Sequence, residues 1–225
     1  MDMTHIKSAH TVTAFDSEIA EIRIAINAMC DAAGEALAAS MDALAQGDGE
    51  RAKELIAQDV LLDQQESDLE KKVMRCIALR APVADDLRYL VMAIRIGAML
   101  ERSGDHAKSI SKRVGKIKLK EADPLMRKLR EMSQLGASML AQSVDSFNRE
   151  DASLASTVRD RDIRLNEHFE ELTEMVTRAM REDDAFVATG VQLLFIAKQL
   201  ERVGDYAKII AGSVYYIVTG EYLED

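Results

Sequence analysis

Apolar side chains recur every three or four residues through nearly the whole chain, the spacing of one helix face rather than the alternation of a strand. Ile19, Ile22, Ile26, Met29, Ala33 and Leu37 make a first stripe, and Gly47-Asp48-Gly49 marks its end. Leu55, Leu62, Leu69 and Cys76 follow at strict sevens. Pro82 predicts the stop of this second helix, because its ring disfavours helical backbone in the residue before it. Asp85 or Asp86 can open a third helix reaching about Gly115. Asp123-Pro124 reads as an N-cap followed by a first helical residue, and "NRED" at 148–151 and "REDD" at 181–184 supply the remaining breaks. The pattern therefore predicts an all-α chain of six long antiparallel helices, each of roughly 28 to 34 residues.

The six helices fall into two sets of three. "LERSGDHAKSI" at 100–110 returns as "LERVGDYAKII" at 200–210, and Leu87, Val91 and Ile94 correspond to Val187, Val191 and Leu194. Such internal self-similarity predicts two tandem three-helix bundles by duplication, residues 1–118 and 119–225.

Counting by sevens from Leu87 and Val91 brings Glu101 and Asp105 onto what reads as the buried stripe of the third helix, and Glu201 and Asp205 onto that of the sixth. Residues four apart share a helix face, so each couple is adjacent. Asp59 and Asp63 lie near the seam of the second helix, and Asp59, Asp63, Glu101 and Asp105 can converge. Buried like charges need compensation from a raised pKa, an arginine or a cation. Clustered carboxylates suit hard or borderline cations such as Mg, Mn, Ca, Fe or Zn. Gly104 and Gly204, costly inside helices, predict close helix approach at the acids.

Composition narrows the classes. Apolar residues make up 48% of 225 residues, enough for a real core, and the two prolines and eleven glycines are too few for a chain of many tight turns. A net charge of −10 argues against nucleic-acid binding. The exception is a run of Lys and Arg from Lys108 to Arg130, in which Lys112, Arg113 and Lys116 are candidates for docking on acidic partners or anionic lipid headgroups. Cys30 and Cys76 fit helical stripes and read as buried hydrophobes of a reducing compartment. "MDMTHIKSAH" lacks a signal-peptide core, and no apolar run is long enough to span a bilayer, so a cytoplasmic protein with at most peripheral membrane association is expected. Twelve methionines permit a homodimer without requiring one.

At these residues the chain resembles the PhoU family, regulatory accessory proteins of bacterial phosphate transport. "APVADDLRYLVMAIRIGAMLERSGDHAKSI" at 81–110 follows the family's first-repeat signature and "VATGVQLLFIAKQLERVGDYAKII" at 187–210 the second, while "FDSEI" at 15–19 and the Asp59–Asp63 pair also fit. The resemblance implies inward motifs able to hold multinuclear metal clusters, iron among them, with Asp59, Asp63, Glu101 and Asp105 in one half and Asp160, Glu201 and Asp205 in the other. It further implies a repressor of the phosphate-starvation response that couples the ATPase subunit of the phosphate ABC transporter to a membrane sensor histidine kinase. Where the family repeats D-x-x-x-D on helix five, this chain reads Asp160, Arg161, Asp162, Ile163, Arg164. Tyr206, Ile209 and Gly212 replace the second motif's usual His, Asn and Glu, and Ser109 replaces the Asn of the first. If Arg164 faces Glu201 and Asp205, its guanidinium neutralises them and metal favours the first half.

Other classes fare worse. A di-iron carboxylate enzyme wants Glu-x-x-His, yet Lys7, Ser103 and Leu165 stand three before His10, His106 and His168. A phosphotransfer domain using His106 has Tyr206 at the equivalent place in the second half. A metal-free helical scaffold remains the main alternative, and no nucleophile–base pair or phosphate-cradling loop supports an enzyme.

Overall fold

The computed structural model describes residues 3–117, 119 and 123–223, with side-chain surroundings from residue 14 onward. Its helices are α1 (Met3–Gln46), α2 (Gly49–Gln58), α3 (Val60–Arg80), α4 (Ala84–Ser111), α5 (Pro124–Arg149), α6 (Ala152–Glu182) and α7 (Val187–Thr219), with no strand among the described residues. The architecture is the expected six rods, because α2 and α3 run on as one rod interrupted at Asp59. That residue keeps helical torsions, but its carbonyl accepts from both Leu62 and Asp63, at 3.0 and 3.3 Å.

The breaks have local causes. Gly47 takes φ 66° and hands over to Asp48, whose carboxylate accepts from the Arg51 N–H and caps α2. Ala81 adopts a left-handed conformation ahead of Pro82 and ends α3. Asp85 and Asp86 sit in the first turn of α4 without capping it, and favour it through the helix dipole. Glu150 turns left-handed after α5, and Asp151 then caps α6 by accepting from Ser153 and Leu154. Asp123 caps α5 by accepting from the Leu125 N–H at 2.8 Å, with Pro124 at the first helical position. Asp123→Ala should cost about 1 kcal/mol and lower the melting temperature by about 3 °C, read by calorimetry at neutral pH.

Helices α1, α3 and α4 form one bundle and α5, α6 and α7 the other. The bundles meet along α4 and α7 and again along α1 and α5, so one apolar core runs through both. Arg88 near the start of α4 donates to the Ile217 carbonyl near the end of α7, while Arg113 beyond α4 lies over Phe195 near the start of α7. The two repeat helices are therefore antiparallel. His106 stacks on its own repeat-counterpart Tyr206, ring centroids 5.3 Å apart, so an approximate two-fold axis passes between the two motifs. At the second contact Asn27 and Asn148 exchange amide hydrogen bonds of 3.0 and 2.8 Å, and Arg23 donates to the Tyr89 hydroxyl.

The first stripe is buried from Ile22 to Leu37, with Ile19 partly exposed, and Leu62, Leu69 and Cys76 are buried along the second rod, with Leu55 partly exposed. The stripe read through Leu87 and Val91 differs. Both are exposed, as are Val187 and Val191, and α4 buries instead Leu90, Ala93, Gly97, Leu100, Gly104 and Ala107. The motif acids thus stand on the flank of the buried face. No described helix is long and apolar enough to cross a membrane.

Candidate functional site

The repeated motif sits where α4 and α7 come closest to the rods beside them. A methyl added to Gly104 would lie 2.3 Å from Leu62 Cδ2, and one added to Gly204 would lie 2.3 Å from Leu165 Cδ2. Both glycines thus permit the close approach that their cost inside a helix implied. The two contacts also fix the register between halves: Leu62 pairs with Leu165, so Asp59, three residues earlier, pairs with Asp162.

This registration changes the second acid set. Asp160 is exposed, whereas Asp162, two residues on, is buried and takes the place that Asp59 has in the first half. Asn166 stands where Asp63 stands, four residues further along each rod. Matching the D-x-x-x-D pattern points to Asp160; the leucine-to-glycine contacts shift the rod by two residues and bring in Asp162 instead. Arg164 is exposed and makes no ion pair among the described residues, so it is not the group that neutralises Glu201 and Asp205.

Lysines do that work. In the first half Lys108 Nζ pairs with Asp59 and lies 3.2 Å from Asp105. In the second, Lys208 Nζ lies 2.8 Å from Asp162 and 3.7 Å from Asp205. The carboxylates on the facing rods are only 7% exposed in both halves, while Asp105 is 50% exposed. The hydrogen bonds that Lys108 donates to Asp59 and Asp105 raise its pKa, so it stays charged. Asn166 adds a long bond to Asp162 Oδ2, and Oδ1 is buried without a hydrogen-bond partner among the described residues. A cavity of about 250 Å³ opens beside the first pair, walled chiefly by aliphatic groups such as Ala36, Leu55, Leu62 and Ala107.

The glutamates differ between halves. Glu201 has Lys198 at 2.7 Å, and that lysine also lies over the Phe169 ring. Glu101 has Ala98 at the equivalent place. Burial first, then Asp105, Glu66, Asp63 and Asp59, push its carboxyl up to about 7. Glu66 is raised too, by burial and by Glu70 and Asp63, and Asp205 by burial and by Glu201. Asp63 itself is exposed.

Among the described residues no three His, Cys, Asp or Glu side chains gather as a metal-ligand set. Asp59, Asp105, Asp162, Asp205 and Glu201 are paired with ammonium groups, and Glu101 keeps only carboxylate neighbours among the described residues, so this arrangement does not fit the multinuclear cluster that the resemblance implied. His106 is largely buried between the halves, its Nδ1 2.6 Å from Gln199 Oε1, and burial lowers its pKa. That is packing across the interface, not the exposed imidazole a phosphoacceptor needs. Both cysteines are buried and free, their thiols pushed up by burial to about 12 at Cys30 and about 11 at Cys76.

The basic run is partly consumed by acids. Lys128 pairs with Glu171 and Arg130 with Asp42, and Arg113 packs over Phe195 while donating to the Ser109 carbonyl. Lys112 and Lys116 are exposed at the end of α4 and in the turn after it; Lys118 and Lys120 lie outside the described residues.

Similarity to known proteins agrees with this architecture. The PhoU domain is matched twice, at residues 26–114 and 129–214. A Caulobacter vibrioides protein named phosphate-specific transport system accessory protein PhoU homolog is 37% identical over 217 residues, 95% of this chain and 94% of that protein. A Zymomonas mobilis protein of the same name is 34% identical over 96% of this chain and 91% of its own length. The crystal structure of PhoU from Pseudomonas aeruginosa superposes with a TM-score of 0.85 at 26% identity, covering 92% of this chain and all of that one. The regulatory protein PhoU of the Streptococcus pneumoniae phosphate transport system gives 0.85 at 30% identity, over 93% of this chain and 99% of that one. With two matched domains, the duplicated motif and the shared six-rod fold, this chain belongs to the PhoU family.

Proposed function

We propose that this chain is a non-enzymatic accessory and regulatory protein of phosphate-specific transport, acting in the cytoplasm to hold back the phosphate-starvation response when phosphate is plentiful. In this reading it couples the ATPase subunit of a phosphate ABC transporter to a membrane sensor histidine kinase. The observation that carries the role is the 37% identity to a named phosphate-specific transport accessory protein over 95% of the chain. The fold is consistent with an adaptor: two long bundles locked by one core give a rigid body whose helix ends present charge to partners. Lys112 and Lys116 offer such a surface, since two exposed ammonium groups at one helix end attract acidic partners or anionic headgroups.

The test is a phosphate-responsive reporter in a strain lacking the gene. Deletion should switch the reporter on in phosphate-replete medium, and the wild-type chain should restore repression. The Lys112→Glu/Lys116→Glu chain should fold with unchanged melting temperature yet restore repression poorly. A reporter indifferent to the deletion would overturn the role; full repression by the charge-reversed chain would remove only the docking surface.

A further inference from the structure

At their aspartates both halves solve one electrostatic problem in the same way. We infer that Lys108 and Lys208 are the resident counter-ions of the two acidic motifs, each an internal clasp that ties the motif helix to its neighbouring rod in the place where a bound metal would sit. The inference concerns the charge of the site and stands apart from the proposed role in phosphate transport.

Three observations carry it. First, the geometry recurs: a lysine three residues after the motif aspartate reaches across to a buried aspartate on the facing rod, Lys108 to Asp59 and Lys208 to Asp162. Second, the reach is built into the backbone. Leu62 and Leu165, one turn beyond those aspartates, fill the hollows left by Gly104 and Gly204, and the close approach brings each carboxylate within a lysine's length. Third, the ammonium excludes a competitor. A divalent cation binds carboxylate oxygens at about 2.0–2.6 Å, and Lys208 Nζ already stands 2.8 Å from Asp162 Oδ2, so an ion on that carboxylate would sit against a like charge that has already neutralised it. The second half goes further, with Lys198 held on Glu201.

One group pulls the other way. Asp162 Oδ1 is buried and without a hydrogen-bond partner among the described residues, and a small cation entering this half would take it. The second half is therefore where an opposite result would show most clearly.

The experiment uses the full chain, stripped with chelator and titrated with Mn²⁺. The wild-type protein should show no saturable Mn²⁺ uptake that depends on the motif, and neither EDTA nor millimolar Mn²⁺ should move its melting temperature. Weak Mn²⁺ binding that Asp59→Asn and Asp162→Asn leave unchanged agrees with this, because it lies elsewhere. Lys108→Met and Lys208→Met should each lower the melting temperature by about 4 °C, because a buried carboxylate loses its partner. In Asp59→Asn/Lys108→Met and Asp162→Asn/Lys208→Met the loss should shrink to less than half, since neither charge is then left alone. Saturable Mn²⁺ binding by the wild type that Asp59→Asn or Asp162→Asn abolishes would overturn the assignment, whatever the lysine variants do. Lysine variants as stable as the wild type would overturn it too.

Discussion

Replacing Phe147 by alanine is expected to cost about 3–5 kcal/mol and to lower the melting temperature by roughly 10 °C. Phe147 is fully buried near the end of α5, stacked on Tyr89 of α4 with ring centroids 5.0 Å apart. Tyr89 in turn accepts a hydrogen bond from Arg23 of α1, so one aromatic pair joins three helices from both bundles. Removing the ring leaves a cavity that helices fixed at both ends cannot close. Because the core is continuous, the wild type should unfold in a single transition whose calorimetric and van't Hoff enthalpies agree. Phe147→Ala should shift that transition, and a split into two would show that this contact couples the halves. Phe195→Ala is the control: that ring is half-exposed, and its loss should move the transition little. An unshifted Phe147→Ala protein would contradict the packing.

Much of this architecture could be read from residue spacing, because the breaks are made by local chemistry. Gly47, Pro82, Asp123 and Asp151 act through torsion angles and through hydrogen bonds to residues two or three along, and these need no tertiary context. The stripes were legible only where a helix buries a single face. Helix α4 packs against α1 and α3 on one side and α7 on another, so apolar residues occur around most of its circumference. Counting by sevens from Leu87 and Val91 then follows rows that are exposed at the outset and drift by about 20° per heptad. They reach Glu101 and Asp105 at the flank of the buried face.

The site was half legible for a related reason. The motif's duplication and its glycines pointed to the right place, since both are written within single helices. The partners across the groove were not written there. Asp162 instead of Asp160, and Lys108 and Lys208 as counter-ions, depend on how one rod slides against another, and a shift of two residues along a helix turns a side chain from core to solvent. The leucine in each glycine hollow sets that slide, and no periodicity within one helix encodes it. Arg164 suggests itself as the neutralising cation because it stands where the D-x-x-x-D pattern wants an aspartate; Lys198 and Lys208, three residues from Glu201 and Asp205 on the motif helix itself, are the groups that reach them.

Glu101 is where this uneven neutralisation should be measurable. Its carboxyl is raised from 4.5 to about 7, first by burial and then by Asp105, Glu66, Asp63 and Asp59. Between those values the folded chain holds a proton that the unfolded chain releases, so the folded state is favoured at low pH and loses stability as pH rises from 4.5 to 7. Solvent reaches part of the side chain and screens the effect, which leaves a penalty of about 1–2 kcal/mol at pH 8. In EDTA, Glu101→Gln should therefore match the wild type below pH 4.5 and melt about 4 °C higher at pH 8. Ala98→Lys, which copies the Lys198–Glu201 pair into the first half, should give the same gain by supplying the missing charge. Glu201→Gln should show no such gain, because Lys198 already balances that carboxylate. If Glu101→Gln and the wild type melt together across the whole range, the acidic flank of the first half is not crowded with unbalanced charge, and the contrast between the two halves fails with it.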